Sequence, residues 1–517
     1  MEIITGGKPF SGEITIPPSK SISHRALLAA GLSNTTCHVM SALDADDIEA
    51  TLECLLALGV ESKVEKSVTT NLALDVDVVG CGAKWDKRSV IKSRESGSTL
   101  RFMIPIAMAA DGERVFEGEG RLVERPITPY IDMFEKDNID YEYDGLLPLK
   151  VNGQLKSGTY TVPGNISSQF ITGLLMALPV IGGDSKIVVE GELESASYVD
   201  LTLDVLDAFG VKVNEVEGGY EIPGNQTYTG CNFEVEGDFS QAAFFIAAGL
   251  LGEKPLTLSG LSQSSKQGDR AMIDIVKSMG AVIDWQGDNL VVHPSELHGA
   301  VVDLKDCPDL GPIVSVLGSL AKGTTTVINA ERLRIKESDR LAAMTSELKK
   351  LGAHIEETPD GMVIQGVKSL MGATVQSWND HRIVMALTVA GIKTFGSIRI
   401  QGAEAVKKSY PAFFEDVKML GGRADIFIDP LKPLRNEINA IDESIVELLE
   451  KRFEVIDEIA EIKEENGIKV FDLKREEELL KKLKANVKDS DEEIIESIYE
   501  RILSVSRDKQ SERISKN

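Results

Sequence analysis

Hydrophobic and polar positions follow one repeated order over residues 1–427. A run of the form apolar-x-x-apolar-Gly, typical of a helix end, is followed each time by residues that alternate as in a strand. The copies are residues 55–60, 206–211, 276–281, 348–353 and 417–422, and a sixth at 134–139 with Asn in place of Gly. Gly and Asn both tolerate the left-handed conformation that closes a helix. The spacing of about 70 residues is too long for a solenoid repeat and predicts a helix-and-strand subdomain used six times.

Several of these helix ends precede two short alternating runs that are joined by a turn. The runs span residues 211–222, 282–292 and 355–364, with turn residues Gly218-Gly219, Gly287-Asp288 and Asp360-Gly361. Gly, Asn and Asp are the residues that tight turns between antiparallel strands require. The two alternating runs in each of these spans, with the turn between them, are therefore predicted to form one β-hairpin.

The pattern changes after Pro430. Residues 431–517 contain one glycine, Gly467, and their apolar positions recur at helical spacing. We predict a first helix of roughly 30 residues that ends at Asn466-Gly467. Asp472 is predicted to cap a second helix, and the run 489–491 to begin a third. Three amphipathic helices without strands indicate a separate all-α unit.

Composition limits the possible functions. The 517 residues exceed a single core and predict two to four domains. No apolar run reaches the roughly 18 residues of a membrane span, and the N-terminus has no signal-peptide pattern. Five scattered cysteines suit free thiols in a reducing cytoplasm, and neither a metal site nor a cofactor is expected. A net charge of −26 argues against nucleic acid or an anionic membrane as the partner.

A chain this acidic must gather its lysines and arginines locally if it binds an anion. The segment 17–28 does so where a strand stops at two prolines and an Ala/Leu-rich helix begins. Hydroxyl residues stand at the cap positions of this helix, and a helix N-terminus attracts anions. Lys20 adds a charge there, while Ser21 and Arg25 lie four residues apart on one face. Alone, the segment is equally typical of an ordinary cap with solvated charges.

Similar cationic or hydroxyl-rich segments recur along the chain. They are residues 94–101, 124–126, 165–170, 194–198, 332–340, 379–382 and 406–411. Each segment by itself is more typical of a solvated face or a helix cap. Together they predict two or three anionic groups held by Arg and Lys, with phosphate at serine-capped helices.

The residues now identify a resemblance. Pro18-Ser19-Lys20-Ser21 with Arg25, combined with the run Arg-Ile-Lys-Glu-Ser-Asp-Arg at 334–340, resembles 5-enolpyruvylshikimate-3-phosphate (EPSP) synthases over residues 1–427. Residues 431–517 are similar to the all-helical chorismate mutases. The resemblance implies an α/β (α+β) fold of two lobes with three βαβαββ units each. Lobe one would span about 18–236, and lobe two about 1–17 plus 237–427, with the substrates between them. The six helix ends agree with six units.

The resemblance also implies site residues. Shikimate 3-phosphate would be bound by Lys20, Ser21, Arg25, Ser167, Ser168, Gln169, Ser195, Asp309 and Lys336. Phosphoenolpyruvate would be bound by Lys20, Gly97, Arg125, Gln169, Arg340, Arg382 and Lys408. Asp309, Lys336 and Glu337 would be catalytic, because addition of a ring hydroxyl to the enol carbon needs a base and an acid. Two positions depart from the family: Glu95 and Arg332 stand where many relatives carry Asn.

The helical region carries its own implied site, in which chorismate rearranges to prephenate without a nucleophile. The matching positions are Arg435, Arg452, Lys463, Asp472, Arg475, Glu476, Ser506 and Gln510. The apolar stripe of the first helix predicts a homodimer through these helices. The resemblance thus implies a cytoplasmic, bifunctional shikimate-pathway enzyme with small-molecule substrates.

Other readings remain open at this point. The first region could be a different enolpyruvyl transferase that acts on a nucleotide sugar, although the segment at Lys20 fits the shikimate enzyme better. The helical region could be a non-catalytic dimerisation domain or a sensor of aromatic amino acids. Turnover of chorismate distinguishes an enzyme from these alternatives.

Overall fold

The computed structural model describes residues 1–67, 72–427, 430–485, 487–488 and 491–516. The chain divides into two compact units, Met1–Ile428 and Asp429–Asn517. The first unit mixes strands and helices, and the second is helical over the described residues. Among the described residues, no helix combines the length and the apolar character that a membrane span requires.

The first unit is built around two hydrophobic cores. One core takes its residues from Ile22 to Val235, and we call the surrounding structure lobe one. The other takes residues 3–16 and 239–424, together with Leu72, and we call its surroundings lobe two. The sequence periodicity explains both cores, because the apolar faces of the sheets and helices of each lobe are buried in the core of that lobe.

Each lobe contains three four-stranded sheets among the described residues. Every sheet has one parallel and two antiparallel strand pairs. In lobe one the sheets are, in spatial order, Asn232–Glu234, Thr36–Leu43, Ala73–Val79, Glu61–Lys66; Arg88–Lys92, Gly112–Glu117, Leu149–Gly153, Asp140–Glu142; and Thr159–Pro163, Ser185–Glu190, Gly219–Ile222, Asn214–Val216. In lobe two they are Val282–Gln286, Asn289–His293, Leu256–Ser259, Gly12–Thr15; Val301–Asp303, Thr324–Ile328, Gly361–Gln365, His354–Thr358; and Thr374–Gln376, Ile398–Gln401, Glu2–Thr5, Asp425–Phe427. A short parallel pair, Leu370–Met371 with Thr394–Phe395, is added to lobe two.

Helices cover the sheets of both lobes. Lobe one contains Lys20–Leu32, Asp46–Ala57, Gly97–Ala107, Thr128–Asp137, Ser168–Ala177 and Ala196–Ala208. Lobe two contains Phe239–Leu251, Met272–Ser278, Gly311–Leu320, Arg340–Lys350, His381–Ala390 and Phe413–Met419. Short 3₁₀ helices occur at Gly120–Glu124, Leu178–Val180, Gly268–Ala271, Pro308–Leu310, Glu331–Ile335, Gly391–Lys393 and Ala403–Lys408.

The predicted helix ends and hairpins are confirmed. Positive φ angles occur at the residues that close the six repeats: Gly59, Asn138, Gly210, Gly280, Gly352 and Gly421. The three predicted hairpins form antiparallel pairs, for example Val282–Gln286 with Asn289–His293. These features are local, so the residues that form them are sufficient to predict them.

The chain passes between the lobes twice, and the two passages lie side by side. Ser19 N donates to Glu236 O at 2.8 Å, and Asp238 N donates to Pro17 O at 2.9 Å. This pairing fixes the start of the helix Lys20–Leu32 against the start of Phe239–Leu251. The helix starts of the two lobes therefore face one region of the molecule.

The second unit consists of the helices Lys432–Glu465, Leu473–Lys484 and Glu492–Lys516. Asp472 caps the second helix as predicted, because its side chain accepts from Arg475 N at 3.0 Å. Of the residues predicted to begin the third helix, Asp489 and Ser490 lie outside the described residues. The first and third helices pack around Ile456, Ala460 and Leu503, which are buried.

Candidate active site

Helix starts and 3₁₀ turns from both lobes line one cavity in the first unit. Lobe one contributes Lys20, Ser21, Arg25, Ser98, Phe102, Arg125, Ser167, Ser168, Gln169, Ser195 and Tyr198. Lobe two contributes Asp238, Ser240, Asp309, Arg332, Lys336, Glu337, Arg340, His381 and Arg382. Most of the residues named from the sequence for the two substrates are therefore neighbours. Gly97 and Lys408 are not among the residues that line this cavity.

Lys20 begins its helix in a setting that differs from the predicted cap. Ser19 occupies the cap position, but its side chain makes no cap hydrogen bond. Asp238 of lobe two takes that role, since its Oδ2 accepts from Lys20 N at 3.0 Å. The Lys20 ammonium donates to Asp47 Oδ2 at 2.8 Å. Burial lowers the pKa of Lys20, but the carboxylates of Asp47 and Glu337 outweigh burial, so the pKa ends above its ordinary value.

Arg25 is buried beneath the same helix start. Its Nε donates to Thr202 Oγ1 at 2.8 Å, and its Nη2 donates to Tyr198 O at 2.9 Å. The guanidinium also stacks over the Phe102 ring, 5.1 Å from the ring centre. Burial lowers the pKa of Arg25 to about 10, which still leaves it charged at neutral pH. Arg25 is thus a fixed cation rather than a mobile surface charge.

Asp309 lies at the centre of a cluster of cations. Its Oδ1 accepts from Arg340 Nη1 at 2.9 Å and lies 3.3 Å from the Lys336 ammonium. Its Oδ2 accepts from Arg382 Nη2 at 3.0 Å. Burial acts to raise the pKa of the Asp309 carboxyl, but these cations outweigh burial and hold the pKa well below its usual range. Asp309 is therefore ionised in the ligand-free protein.

Glu337 and Lys336 are adjacent in sequence and have opposite electrostatic settings. Arg340 Nη2 donates to Glu337 Oε2 at 2.7 Å, and Arg125 Nη1 lies 4.0 Å from Glu337 Oε1. Burial opposes ionisation of Glu337, yet Arg340 and Arg125 hold its pKa well below the usual range. Burial lowers the pKa of Lys336, and the Asp309 carboxylate offsets this only in part.

Serine and glutamine side chains occupy the lobe-one side of the cavity. Ser167 caps its helix by accepting from Gln169 N at 3.3 Å, and Ser168 begins that helix. Gln169 accepts from Arg101 Nη1 at 2.7 Å and donates to Ser98 Oγ at 2.9 Å, so its amide is fixed. A helix N-terminus beside serine hydroxyl groups suits a bound phosphate.

Gly97 and Lys408 lie near the cluster through other contacts. A Cβ added at Gly97 would come within 2.4 Å of Arg125 Nη1, so only glycine allows this close approach of the guanidinium. Lys408 donates to Glu95 Oε2 at 2.6 Å and to Asn379 O at 2.8 Å. Glu95 belongs to lobe one and Lys408 to lobe two. Glu95 thus places a carboxylate on a lysine named for phosphoenolpyruvate.

Sequence reasoning missed Tyr198, which lines the cavity, and two residues that hold cavity side chains, Arg101 and Asp47. Tyr198 donates its hydroxyl to Asp309 Oδ2 at 3.3 Å, and Arg101 fixes Gln169. Both stand in segments that the sequence singles out, but nothing in those segments indicates their partners. Asp47 has no local signal, because its partner Lys20 is identifiable only after folding.

In the second unit, four of the residues named for chorismate meet between the first and third helices. Arg452 Nη1 donates to Ser506 Oγ at 2.5 Å, and Lys463 Nζ donates to Gln510 Oε1 at 3.2 Å. Ser506 and Gln510 are buried. Glu476 is instead held by Arg507, at 2.5 and 2.7 Å, a residue that the sequence did not single out. Asp472 serves as the cap of its helix and Arg475 follows in its first turn.

Arg435 is distant from these four residues within one chain. It lies 28 residues before Lys463 on the same helix, which corresponds to roughly 42 Å along the axis. The helix is exposed at most of its apolar positions: Leu434, Ile438, Ile441, Ile445, Leu448, Val455, Ile459 and Ile462. One copy of the unit therefore leaves an apolar stripe uncovered beside Arg435.

Comparison with known proteins matches both units to families. Residues 4–417 match the family model EPSP synthase (3-phosphoshikimate 1-carboxyvinyltransferase), and residues 434–511 match chorismate mutase type II. A 3-phosphoshikimate 1-carboxyvinyltransferase of Clostridium kluyveri is 48% identical over 418 residues, covering 80% of this chain and 96% of the relative. Its counterpart from Clostridioides difficile is 43% identical over 422 residues, with the same coverage.

Solved structures agree with the family match. EPSP synthase from Acinetobacter baumannii superimposes with a TM-score of 0.70 at 26% identity, over 83% of this chain and 99% of that structure. The enolpyruvyl transferase NikO from Streptomyces tendae shares the fold, with a TM-score of 0.67 at 17% identity and the same coverage. The fold class expected from the resemblance is confirmed.

Proposed function

Because the chain belongs to the EPSP synthase family and carries a chorismate mutase type II domain, we propose how its residues perform the two reactions. The protein is a bifunctional shikimate-pathway enzyme. The first unit transfers the enolpyruvyl group of phosphoenolpyruvate to shikimate 3-phosphate and releases phosphate. The helical unit rearranges chorismate to prephenate. The observation that carries the first activity is the convergence of seven buried or half-buried lysines and arginines on one cavity of a chain whose net charge is −26.

Two anionic substrates bind side by side in this cavity. The residues that bind shikimate 3-phosphate are Lys20, Ser21, Arg25, Ser167, Ser168, Gln169, Ser195, Asp309 and Lys336. The residues that bind phosphoenolpyruvate are Lys20, Gly97, Arg125, Gln169, Arg340, Arg382 and Lys408. Arginine suits the second substrate because a guanidinium binds carboxylate and phosphate oxygens in pairs. The tight approach of Arg125 to Gly97 supports a role of that arginine at one fixed position.

The chemistry begins at Asp309. Its carboxylate takes the proton of the attacking ring hydroxyl, whose oxygen adds to the enol carbon of phosphoenolpyruvate. In the ligand-free protein its low pKa makes it a weak base. Phosphoenolpyruvate draws Arg340 and Arg382 toward its own anionic groups, which weakens their hold on Asp309 and raises its pKa. Binding of phosphoenolpyruvate thus makes Asp309 a stronger base for the step that follows.

Lys336 and Glu337 transfer a proton to and from the methylene carbon of phosphoenolpyruvate. Lys336 is the acid, because burial lowers its pKa and favours proton release to carbon. The product of addition is a tetrahedral phospho-ketal with a methyl group. Glu337, ionised beside Arg340, takes a proton back from that methyl group as the phosphate leaves and the double bond re-forms. The surrounding guanidinium groups offset the charge of the departing phosphate.

The first unit consists of two domains, which are lobe one at about 18–236 and lobe two at about 1–17 plus 237–427. The helical domain spans residues 431–517. Two separate cores support this division. The enzyme works in the cytoplasm without a nucleic-acid partner, in keeping with its charge and its free cysteines.

The mutase site is assembled by two copies of the helical unit. Chorismate needs its two carboxylates held and its ether oxygen hydrogen-bonded as the bond breaks. Lys463 and Gln510 face the ether oxygen, while Arg452 and Arg475 of one copy and Arg435 of the other take the carboxylates. Asp472, Glu476 and Ser506 complete the site. The exposed apolar stripe supports pairing of the first helices, which brings Arg435 to the partner's site.

Both activities are tested on the full-length chain. Phosphate release from phosphoenolpyruvate is measured with and without shikimate 3-phosphate, and chorismate loss is followed separately. We expect Lys463→Ala to abolish chorismate turnover and to spare phosphate release, and Asp309→Asn to do the opposite. If phosphate release does not depend on shikimate 3-phosphate, the transferase assignment is wrong. If chorismate is not turned over, the helical unit is a dimerisation domain or an amino-acid sensor.

A further inference from the structure

Arg507 joins the third helix of the second unit to the start of the second helix. Its Nη1 donates to Glu476 Oε1 at 2.7 Å and to Glu476 Oε2 at 2.5 Å. The centre of its guanidinium also lies 5.3 Å from the centre of the Phe471 ring. Phe471 directly precedes Asp472, the cap of the second helix, and Glu476 lies in the first turn of that helix. Two contacts from one segment therefore fix the guanidinium.

Arg507 lies beside residues named for chorismate and has a different partner. It directly follows Ser506, and it lies three residues before Gln510, the spacing of neighbours on a helix surface. Ser506 and Gln510 are buried and bond residues of the first helix. Arg507 bonds the second helix, and its side chain is 34% exposed, while that of Glu476 is 20% exposed. The cluster named for chorismate thus extends to the second helix through Arg507 and Glu476.

Chorismate places two opposite demands on a carboxylate such as that of Glu476. The substrate carries two carboxylates, so a third carboxylate without a counter-charge repels it. The substrate also has one ring hydroxyl, and an ionised carboxylate can only accept hydrogen bonds, so the hydroxyl is the group that Glu476 can bind. A carboxylate offers about four acceptor positions, and the two hydrogen bonds from Arg507 leave some of them open. Glu476 can therefore bind Arg507 and the hydroxyl at once.

We propose that Arg507 is a positioning residue of the mutase site, which fixes the Glu476 carboxylate for the ring hydroxyl of chorismate and offsets its negative charge. The inference rests on the proposed mutase function. Arg507 remains paired with Glu476 when chorismate binds, whereas Arg452 and Lys463 bind the substrate itself. A substrate with two negative charges can then enter a site that contains a carboxylate.

Loss of this counter-charge should affect KM more than kcat. The bound substrate and the transition state carry the same two carboxylates, so both are repelled alike, and a loss of uniform binding raises KM alone. Steady-state loss of chorismate by the full-length chain tests this. We expect Arg507→Met to raise the KM for chorismate roughly tenfold, the lower end for a charge-assisted hydrogen bond, because both side chains are partly exposed. We expect kcat to stay within about threefold of wild type.

The same substitution is then made in Glu476→Gln, whose amide carries no charge to repel chorismate. There we expect Arg507→Met to change KM by less than about twofold, because the charge that Arg507 offsets is gone. If Glu476→Gln is too slow for kinetics, calorimetric titration with chorismate gives the same comparison as dissociation constants. A tenfold rise in this background as well would overturn the proposal, since Arg507 would then bind chorismate directly. A lower kcat with an unchanged KM in Arg507→Met would overturn it too.

Lys484→Met is the matched control. It breaks an ion pair with Glu496, at 2.5 Å, that also joins the second helix to the third, with side chains 31% and 35% exposed. Neither residue is named for chorismate, so we expect its KM to stay within about twofold of wild type. If Arg507→Met raises KM no more than Lys484→Met does, the proposal is wrong. Should Arg507→Met fail to fold, as judged by its circular dichroism spectrum, Arg507→Gln decides by the same comparison. A wild-type chain that does not turn over chorismate would instead refute the mutase function.

Discussion

Replacing Asp309 by Asn removes one charge from the centre of the cation cluster and changes the side-chain volume little. The carboxylate accepts from Arg340 and Arg382 and lies beside Lys336. An amide keeps a single accepting oxygen and turns an NH₂ group, which cannot accept a hydrogen bond, toward cations that are themselves only donors. The variant therefore loses both the proposed base and the partner of several buried charges.

The two effects have different sizes. Loss of a general base lowers turnover by about 10²- to 10⁴-fold. Removing one partner of a buried ion cluster costs about 3–5 kcal/mol of folding free energy. The lower end of this range applies here, because the Asp309 side chain is 16% exposed to solvent. The KM for phosphoenolpyruvate should not rise, because Arg340 and Arg382 no longer have to leave a carboxylate. A fall in kcat without a rise in this KM is the distinguishing result.

The assay is phosphate release at saturating substrates, with the circular dichroism spectrum of the variant as the check that it is folded. Asp303→Asn is the control, because Asp303 is exposed and lies outside the cation cluster. Its Oδ2 accepts from Asn329 Nδ2 at 2.8 Å. We expect the control to retain wild-type kcat. If Asp309→Asn keeps more than about a tenth of wild-type kcat, a difference below about 1.4 kcal/mol, Asp309 is not the base.

Three further outcomes are expected. We propose that Lys336 acts in its protonated form, and burial lowers its pKa, so kcat/KM should fall with rising pH below the ordinary lysine value. In Lys336→Arg this fall should move to higher pH, and an unchanged pH profile would exclude Lys336 as the acid. Glu95→Gln removes the carboxylate that pairs with Lys408, so steady-state kinetics should give a lower KM for phosphoenolpyruvate, whereas a higher KM would mean that Glu95 assists binding. A mixture of Arg435→Ala and Lys463→Ala chains should regain roughly a quarter of wild-type mutase activity. Random exchange of subunits makes half of the dimers hybrid, and each hybrid dimer has one intact site of two. A mixture whose subunits demonstrably exchange and which stays inactive would refute the shared site.

Local features of the molecule were accessible from the sequence. The left-handed helix ends at Gly59 and Gly352, the hairpin at Gly287 and the cap at Asp472 depend on residues within one turn or one hairpin. The three helices of the second unit follow from apolar spacing alone. These elements require no distant partner, so the identity of their own residues predicts them.

The partners within the site depended on tertiary structure. Ser19 stands at a cap position, yet Asp238 makes the cap contact from 218 residues away. Likewise, no local pattern joins Tyr198 to Asp309 or Arg332 to Ser195, since each pair spans more than a hundred residues. The cationic segments revealed which chemistry the chain gathers. Their distances, and the pKa shifts that burial and neighbouring charges impose, arise only when the two lobes bring those segments together, because charges interact strongly only at close range and out of water.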